Sequence, residues 1–207
     1  MTGRSGTWPG SWIAACAAAL ALLHAGAGLA ADNAAYKRKP PEKKWQTLEG
    51  CRYQAREAND GDSFGLQCAS RKFVLRLYFV DTPEANLQYG ERVREQAQHF
   101  GTTLDETLNA GYRARDLVRN LLGGAFVVLT KRASAPGRSS EPRFYGLVHV
   151  GGRYLHEVLL AEGLAQVKGV TSALPDGTPS RDYLKRLRAL ENQARVERKG
   201  AWAKSSK

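Results

Sequence analysis

The chain has 207 residues, of which 43% are hydrophobic and 25% are charged, a composition typical of one globular domain with a buried core; we find no internal repeat or second domain. The net charge of +11 is concentrated at the ends, because residues 32–48 carry five bases and two acids and residues 181–207 carry nine bases and three acids. Basic ends attract a polyanion without specifying which one, and a solubilising tail with a solvated helix face explains them equally well.

An export signal is predicted over residues 1–31. A single base, Arg4, precedes an apolar run over residues 12–23, and small residues follow it. We expect cleavage near Ala30 or Ala31, which would leave the mature protein periplasmic or secreted and without stable membrane association. An uncleaved anchor is the alternative, because the segment is almost long enough to span a bilayer.

A basic flexible arm is predicted over residues 32–48, followed by one domain over residues 49–203 and a tail over residues 204–207. The domain begins with a predicted hairpin, whose strands at 52–57 and 63–69 flank an Asn-Asp-Gly-Asp turn. This pairing brings Cys51 and Cys68 close together across the strands. In an exported chain two such cysteines favour a disulfide, and metal binding by two lone cysteines is not expected.

The rest of the domain alternates between strands and helices. An apolar run at 73–80 predicts a central strand buried on both faces, which ends at Asp81-Thr82-Pro83 because proline has no donor for a strand ladder. The pattern predicts an α+β, mainly β fold, a small closed or nearly closed barrel of five strands with three to four helices. Helices are predicted at 91–100, 103–122 and 155–162, strands at 125–132, 144–150 and 164–168, and a basic helix from Thr178-Pro179 to about Lys199.

Four carboxylates lie close to this central strand in the sequence. Asp60 and Asp62 flank a glycine in the hairpin turn, while Asp81 and Glu84 flank a Thr-Pro bend that also frees the Thr82 carbonyl from sheet pairing. Oxygen ligands of this kind suit calcium or magnesium, and acids so close together repel one another unless a cation lies between them. An Asp-Gly-Asp triplet alone is also a common turn.

Arg76 interrupts the apolar strand with a guanidinium group. A buried guanidinium must be paired, and arginine binds a phosphate through two parallel hydrogen bonds better than lysine does. A structural ion pair with one of the neighbouring acids is the alternative explanation for Arg76.

The stretch over residues 58–84 resembles the staphylococcal thermonuclease family. It contains Asn-Asp-Gly-Asp-Ser and then Val-Leu-Arg-Leu-Tyr-Phe-Val-Asp-Thr-Pro-Glu, and both the segment over 143–167 and the later Lys-Gly-Ala-Trp at 199–202 are similar to the corresponding parts of that family. The resemblance covers roughly residues 50–203. It implies an OB-type barrel that cuts DNA and RNA with calcium, breaking the bond to the 5′ oxygen and leaving 3′-phosphates.

The resemblance also implies a set of metal ligands. Carried over position by position, Asp62 and Asp81 would bind Ca²⁺ together with the backbone carbonyl of Thr82. Asp60 would act from the outer shell of the ion.

Catalytic roles follow from the same resemblance. Glu84 would orient or deprotonate the attacking water, and Arg76 and Arg143 would hold the phosphate and stabilise the charge that develops on it. We expect the protein to act on DNA and/or RNA, and to be a monomer. A non-catalytic barrel that binds nucleic acid and a metal-dependent hydrolase of small phosphates are the alternatives.

Two parts of the sequence depart from the family pattern. Ser140 and Glu141 replace a lysine and a tyrosine, and Gly169 and Thr171 replace two tyrosines, all of which help hold the phosphate and base of the nucleotide. The resemblance therefore does not predict a base preference. The segment over residues 86–108 is also longer than the usual connection, and its extra helix has no assigned role.

Overall fold

The computed structural model describes residues 44–137 and 140–203. The predicted export signal, residues 32–43 of the predicted arm and the predicted tail lie outside these residues. None of the helices in the described ranges is both long and apolar enough to cross a membrane.

The described residues form eight strands, four α-helices and two short 3-10 helices. The strands are β1 (Gln46–Gln54), β2 (Ser63–Cys68), β3 (Arg71–Leu77), β4 (Val80–Asp81), β5 (Phe126–Ser134), β6 (Arg143–Val150), β7 (Arg153–Tyr154) and β8 (Gln166–Val167). The α-helices are α1 (Gly90–Phe100), α2 (Leu104–Leu121), α3 (Leu155–Ala161) and α4 (Ser180–Val196), and the 3-10 helices are Leu87–Tyr89 and Gly200–Trp202.

Five of the strands form a closed barrel. They are hydrogen-bonded in the order β3-β2-β1-β5-β6, and parallel pairing of β3 with β6 closes the ring. Fully buried side chains such as Phe64, Leu75 and Leu147 belong to its core. The predicted α+β fold, a five-stranded OB-type barrel with three to four helices, is confirmed.

The closing pair of strands places two arginines on one side of the sheet. Arg143 at the start of β6 lies opposite Val74 in β3, and Arg76 follows two residues later in the same strand. Because side chains two residues apart on a strand share a face, Arg76 and Arg143 project from the same face.

A disulfide joins the two strands of the first hairpin. β1 and β2 pair in antiparallel register, with Arg52 opposite Gln67. The next pair in this register is Cys51 and Cys68, whose Cα atoms are 4.2 Å apart and whose sulfurs are bonded. The disulfide predicted from the hairpin is therefore confirmed.

The predicted central strand over 73–80 is interrupted, which corrects the sequence prediction. β3 ends at Leu77, and Phe79 adopts a left-handed backbone conformation with φ of +74°. Its N–H donates to the Val170 carbonyl and its own carbonyl accepts from Lys168 N, so the chain leaves the barrel here and pairs with the segment that contains β8. This turn delivers Asp81 to the side of the barrel where Arg76 projects.

The two helices after the Thr-Pro bend follow their predicted bounds to within a residue. α1 ends at Phe100, and α2 begins after Thr103, whose hydroxyl accepts from the Glu106 N–H while the Glu106 carboxylate accepts from the Thr103 N–H. This reciprocal pairing satisfies two donors at the helix start and fixes where the second helix begins.

Some boundaries differ from the predictions. β1 begins at Gln46, so the last three residues of the predicted arm are strand. Thr178 is not the N-cap of α4: Pro179 holds that position with extended backbone and no capping side chain. The last helix also ends at Val196, three residues before the predicted end, and the 3-10 helix Gly200–Trp202 follows.

Candidate active site

The turn between β1 and β2 is organised by Asp60. Its Oδ1 accepts hydrogen bonds from the N–H groups of Asp62 and Ser63, at 3.1 and 2.5 Å. Gly61 lies against the Thr82 side chain so closely that a Cβ at position 61 would be 2.8 Å from its methyl group. The turn is thereby held against the bend after β4, and the Asp62 carboxylate becomes buried.

Arg76 joins two acids that are far apart in the sequence. Its Nη1 lies 2.8 Å from Asp62 Oδ1 and its Nη2 lies 2.8 Å from Asp81 Oδ1. The ion pair considered as an alternative for Arg76 is therefore present in the structure. Burial acts to lower the pKa of Arg76, but Asp62, Asp60 and Asp81 outweigh it and raise that pKa, so the guanidinium stays charged.

The outer oxygens of the same two acids are held by amide groups. Asp62 Oδ2 accepts from the Thr82 N–H at 3.0 Å, and Asp81 Oδ2 accepts from Nε2 of Gln96 and of Gln166, each at 3.0 Å. The inner oxygens are left facing Arg76. The backbone and the amides thus orient both carboxylates toward one point.

The two buried carboxyl groups are perturbed in opposite directions. Burial raises the pKa of Asp62 well above its usual value, Arg76 opposes that shift, and Asp60 and Asp81 add to it. Burial also acts to raise the pKa of Asp81, but Arg92, the Gln96 hydrogen bond and Arg76 lower it overall. Additional positive charge beside Asp62 would therefore favour its ionised form.

Glu84 is paired with an arginine of α1 that was not predicted to belong to the site. Nη2 of Arg92, on α1, lies 2.9 Å from Glu84 Oε1 and 2.7 Å from Asp81 Oδ1. Burial raises the pKa of Glu84, and Arg92 partly offsets this increase. The spacing of Arg92 and Gln96 puts both on one helix face, which is the sequence signal that could have pointed to them.

Arg143 is hydrogen-bonded to the start of β2, and no ion pair joins it to the four site acids in the part of the chain that the structure describes. Its Nη2 donates to Ser63 Oγ at 2.7 Å, and its buried Nε has no hydrogen-bond partner among residues 44–137 and 140–203. A Cβ at Gly137, whose φ is +149°, would be 1.8 Å from Arg143 Nη1. Only glycine fits there without displacing the guanidinium.

A cleft of about 630 Å³ opens over these side chains. Its charged lining includes four cations and three carboxylates: Arg76, Arg92, Arg143, Lys168, Asp60, Asp81 and Glu84. Another cavity, of about 710 Å³, lies beside the turn between β2 and β3, but none of the predicted catalytic or metal-binding residues lines it. Size alone therefore does not locate the site, whereas the charged groups do.

The residues at the positions that hold the nucleotide in the family offer few groups for binding a nucleotide here. Glu141 is turned toward Arg56, with 2.8 Å between the carboxylate oxygen and the guanidinium nitrogen. Gly169 lines the cleft without a side chain, and Thr171 is exposed. The cleft therefore has cations for a phosphate but no tyrosine at positions 169 and 171.

Comparisons with known proteins identify the family of the chain. A family model described as staphylococcal nuclease homologue matches residues 74–204, which include Arg76, Asp81, Glu84 and Arg143 but begin after the Asp60-Gly61-Asp62 turn. A protein named Endonuclease YncB, from Bacillus subtilis (strain 168), is 28% identical over 148 residues. That similarity covers 72% of this chain but only 60% of the relative. The family model spans well over half of the sequence, and the chain belongs to the family of staphylococcal nuclease homologues.

Proposed function

We propose that this chain is an exported, calcium-dependent nuclease that hydrolyses phosphodiester bonds of DNA and/or RNA. The observation that carries the proposal is one cleft that Arg76, Arg143, Asp81 and Glu84 all line. Membership of the nuclease-homologue family and the similarity to a protein named as an endonuclease support it. The disulfide supports export, because such bonds persist in oxidising compartments.

The residues present fit a calcium ion in chemical type. In the described part of the chain no three His, Cys, Asp or Glu side chains are grouped to hold a metal, but Asp62 and Asp81 present two buried carboxylates that converge on one guanidinium. Hard oxygen ligands of this kind, with the Thr82 carbonyl and water, are those that calcium prefers. Asp60, whose Oδ1 is used within its own turn, would act from the outer shell. Bound calcium would supply positive charge that stabilises the charge developing on the phosphate.

The two arginines would hold the scissile phosphate. Arg143 lines the cleft and is oriented by the hydrogen bond from its Nη2 to Ser63, so its guanidinium would donate to a phosphate oxygen there. Arg76 compensates the negative charge of Asp62 and Asp81 in this structure. If calcium compensated that charge instead, the N–H groups of Arg76 would be available to the phosphate. Guanidinium donors aimed at developing charge are a main source of rate enhancement in phosphoryl transfer.

Glu84 would act on the attacking water. Burial favours its protonated form while Arg92 favours its ionised form, which suits a group that must accept a proton. Water oxygen forms the new bond to phosphorus as Glu84 accepts its proton, and the bond to the 5′ oxygen breaks. The 5′ oxygen leaves with a proton from solvent, and the phosphate stays on the 3′ oxygen.

Cleavage of single-stranded DNA tests this proposal. The mature protein is incubated with the DNA in calcium and in chelator, beside Glu84→Gln and Arg76→Ala. The exposed residues Glu91 and Arg188 provide matched controls as Glu91→Gln and Arg188→Ala. We expect cutting only with calcium, a loss in both site variants and none in the controls. Binding without cutting would instead indicate a non-catalytic barrel that binds nucleic acid. Hydrolysis confined to small phosphate esters would indicate a metal-dependent hydrolase of small phosphates.

A further inference from the structure

The side-chain amide of Gln96, on α1, is buried and hydrogen-bonded to the loop from Asp81 to Glu84. Gln96 is 1% exposed, and its Nε2 donates to Asp81 Oδ2 at 3.0 Å and to the Thr82 carbonyl at 2.9 Å. Its Oε1 accepts from the Glu84 N–H at 2.8 Å. A single side chain therefore fixes a carboxylate, a carbonyl and a backbone N–H within four consecutive residues.

Glutamine is suited to this position because it combines a donor and an acceptor at one end. The loop contains Pro83, which has no N–H, and the Thr82 carbonyl takes no part in the pairing of β4 with β8. These polar groups are buried, and burying them without partners is costly. An apolar side chain of the same size would fill the space at position 96 and leave the polar groups unsatisfied.

We propose that Gln96 is a positioning residue for this site, acting through Asp81, Thr82 and Glu84. The inference rests on the proposed function, because these three residues carry the proposed metal and water chemistry. Helix α1, which had no assigned role, thereby becomes part of the site. Groups that orient metal ligands and bases in this way typically change metal affinity or activity by about 10–100-fold when they are replaced.

Two variants test the role of Gln96. Gln96→Met keeps the length and helix preference of the side chain and removes all three hydrogen bonds. Gln96→Glu keeps an acceptor for the Glu84 N–H and removes the donor to Asp81 and Thr82. Gln98→Met, at an exposed position of the same helix, is the matched control.

We expect kcat and calcium affinity, the latter from calorimetric titration, each to fall by about 10–100-fold in Gln96→Met, with a smaller change in KM. Hydrogen exchange provides a readout independent of activity: the Glu84 amide should exchange faster in Gln96→Met but not in Gln96→Glu. If Gln96→Met does not fold, Gln96→Glu carries the comparison of kcat, because a new carboxylate beside Asp81 would itself attract calcium.

The outcomes separate this inference from the proposed function. A parent protein that cuts DNA, together with a folded Gln96→Met whose kcat and calcium affinity stay within about twofold, would overturn the role of Gln96 alone. A parent that cuts neither DNA nor RNA would overturn the proposed function, and the role of Gln96 with it.

Discussion

Removing the charge of Arg92 should strengthen calcium binding. Its Nη2 contacts Asp81, a proposed calcium ligand, at 2.7 Å and Glu84 at 2.9 Å. A calcium ion would have to displace this guanidinium or bind beside it, and either costs free energy. Arg92→Met removes the charge while keeping an unbranched side chain with good helix propensity.

The magnitude follows from the two ion pairs and their exposure. Two unit charges about 4 Å apart interact by about 4 kcal/mol at an effective dielectric constant of about 20. The Arg92 side chain is 39% exposed, so solvent screening reduces each pair to about 0.5–1 kcal/mol. Loss of both pairs then amounts to about 1–2 kcal/mol, or a calcium Kd that is about 5–30-fold lower.

Calorimetric titration of calcium into the parent protein and Arg92→Met measures this effect. The titrations belong at about pH 8, well above the usual carboxyl pKa of about 4. Arg94→Met is the matched control, because Arg94 lies on the same helix and its ion pair among the described residues is with exposed Glu91. Equal or weaker calcium binding by Arg92→Met would refute the idea that Arg92 competes with the ion.

Two other predictions concern stability and the second arginine. Burial, with a smaller contribution from His149, lowers the pKa of His156 to about 3, so the folded state favours the neutral imidazole. The stability that the neutral imidazole contributes is present above about pH 6.5 and is lost as the pH falls toward 3. Urea midpoints should therefore fall less steeply over that range in His156→Gln than in the parent, and parallel curves would contradict this. Gly137→Ala should lower kcat, because the added Cβ would overlap the Arg143 guanidinium, whereas Gly177→Ala, also at positive φ but in open space, should not. Equal kcat values in the two glycine variants would show that the position of Arg143 does not matter.

Local sequence patterns were sufficient to predict the barrel and its disulfide. Two strands around the Asn-Asp-Gly-Asp turn predicted the hairpin, and their pairing brought Cys51 and Cys68 close together, as the structure confirms. The acids near the central strand and Arg76 could also be grouped in advance, because a short hairpin and a proline bend limit how far apart they can lie.

Contacts between distant elements could not be predicted in the same way. Arg92, Gln96 and Gln166 reach Asp81 from α1 and β8, and nothing in their local sequence specifies where those elements pack. The left-handed turn at Phe79 was also missed, because an aromatic residue in an apolar run is typical of a continuous strand. That conformation is maintained by hydrogen bonds to the segment around β8, which is a tertiary effect.

The chemistry of the cleavage products tests the central claim most directly. A single-stranded oligonucleotide is incubated with the protein and calcium, and the product ends are identified by mass spectrometry. We predict fragments with 3′-phosphate and 5′-hydroxyl ends, absent with chelator and strongly reduced in Glu84→Gln. Products with 5′-phosphate ends would contradict the proposed cleavage at the 5′ oxygen, and equal yields from parent and Glu84→Gln would contradict the proposed role of Glu84.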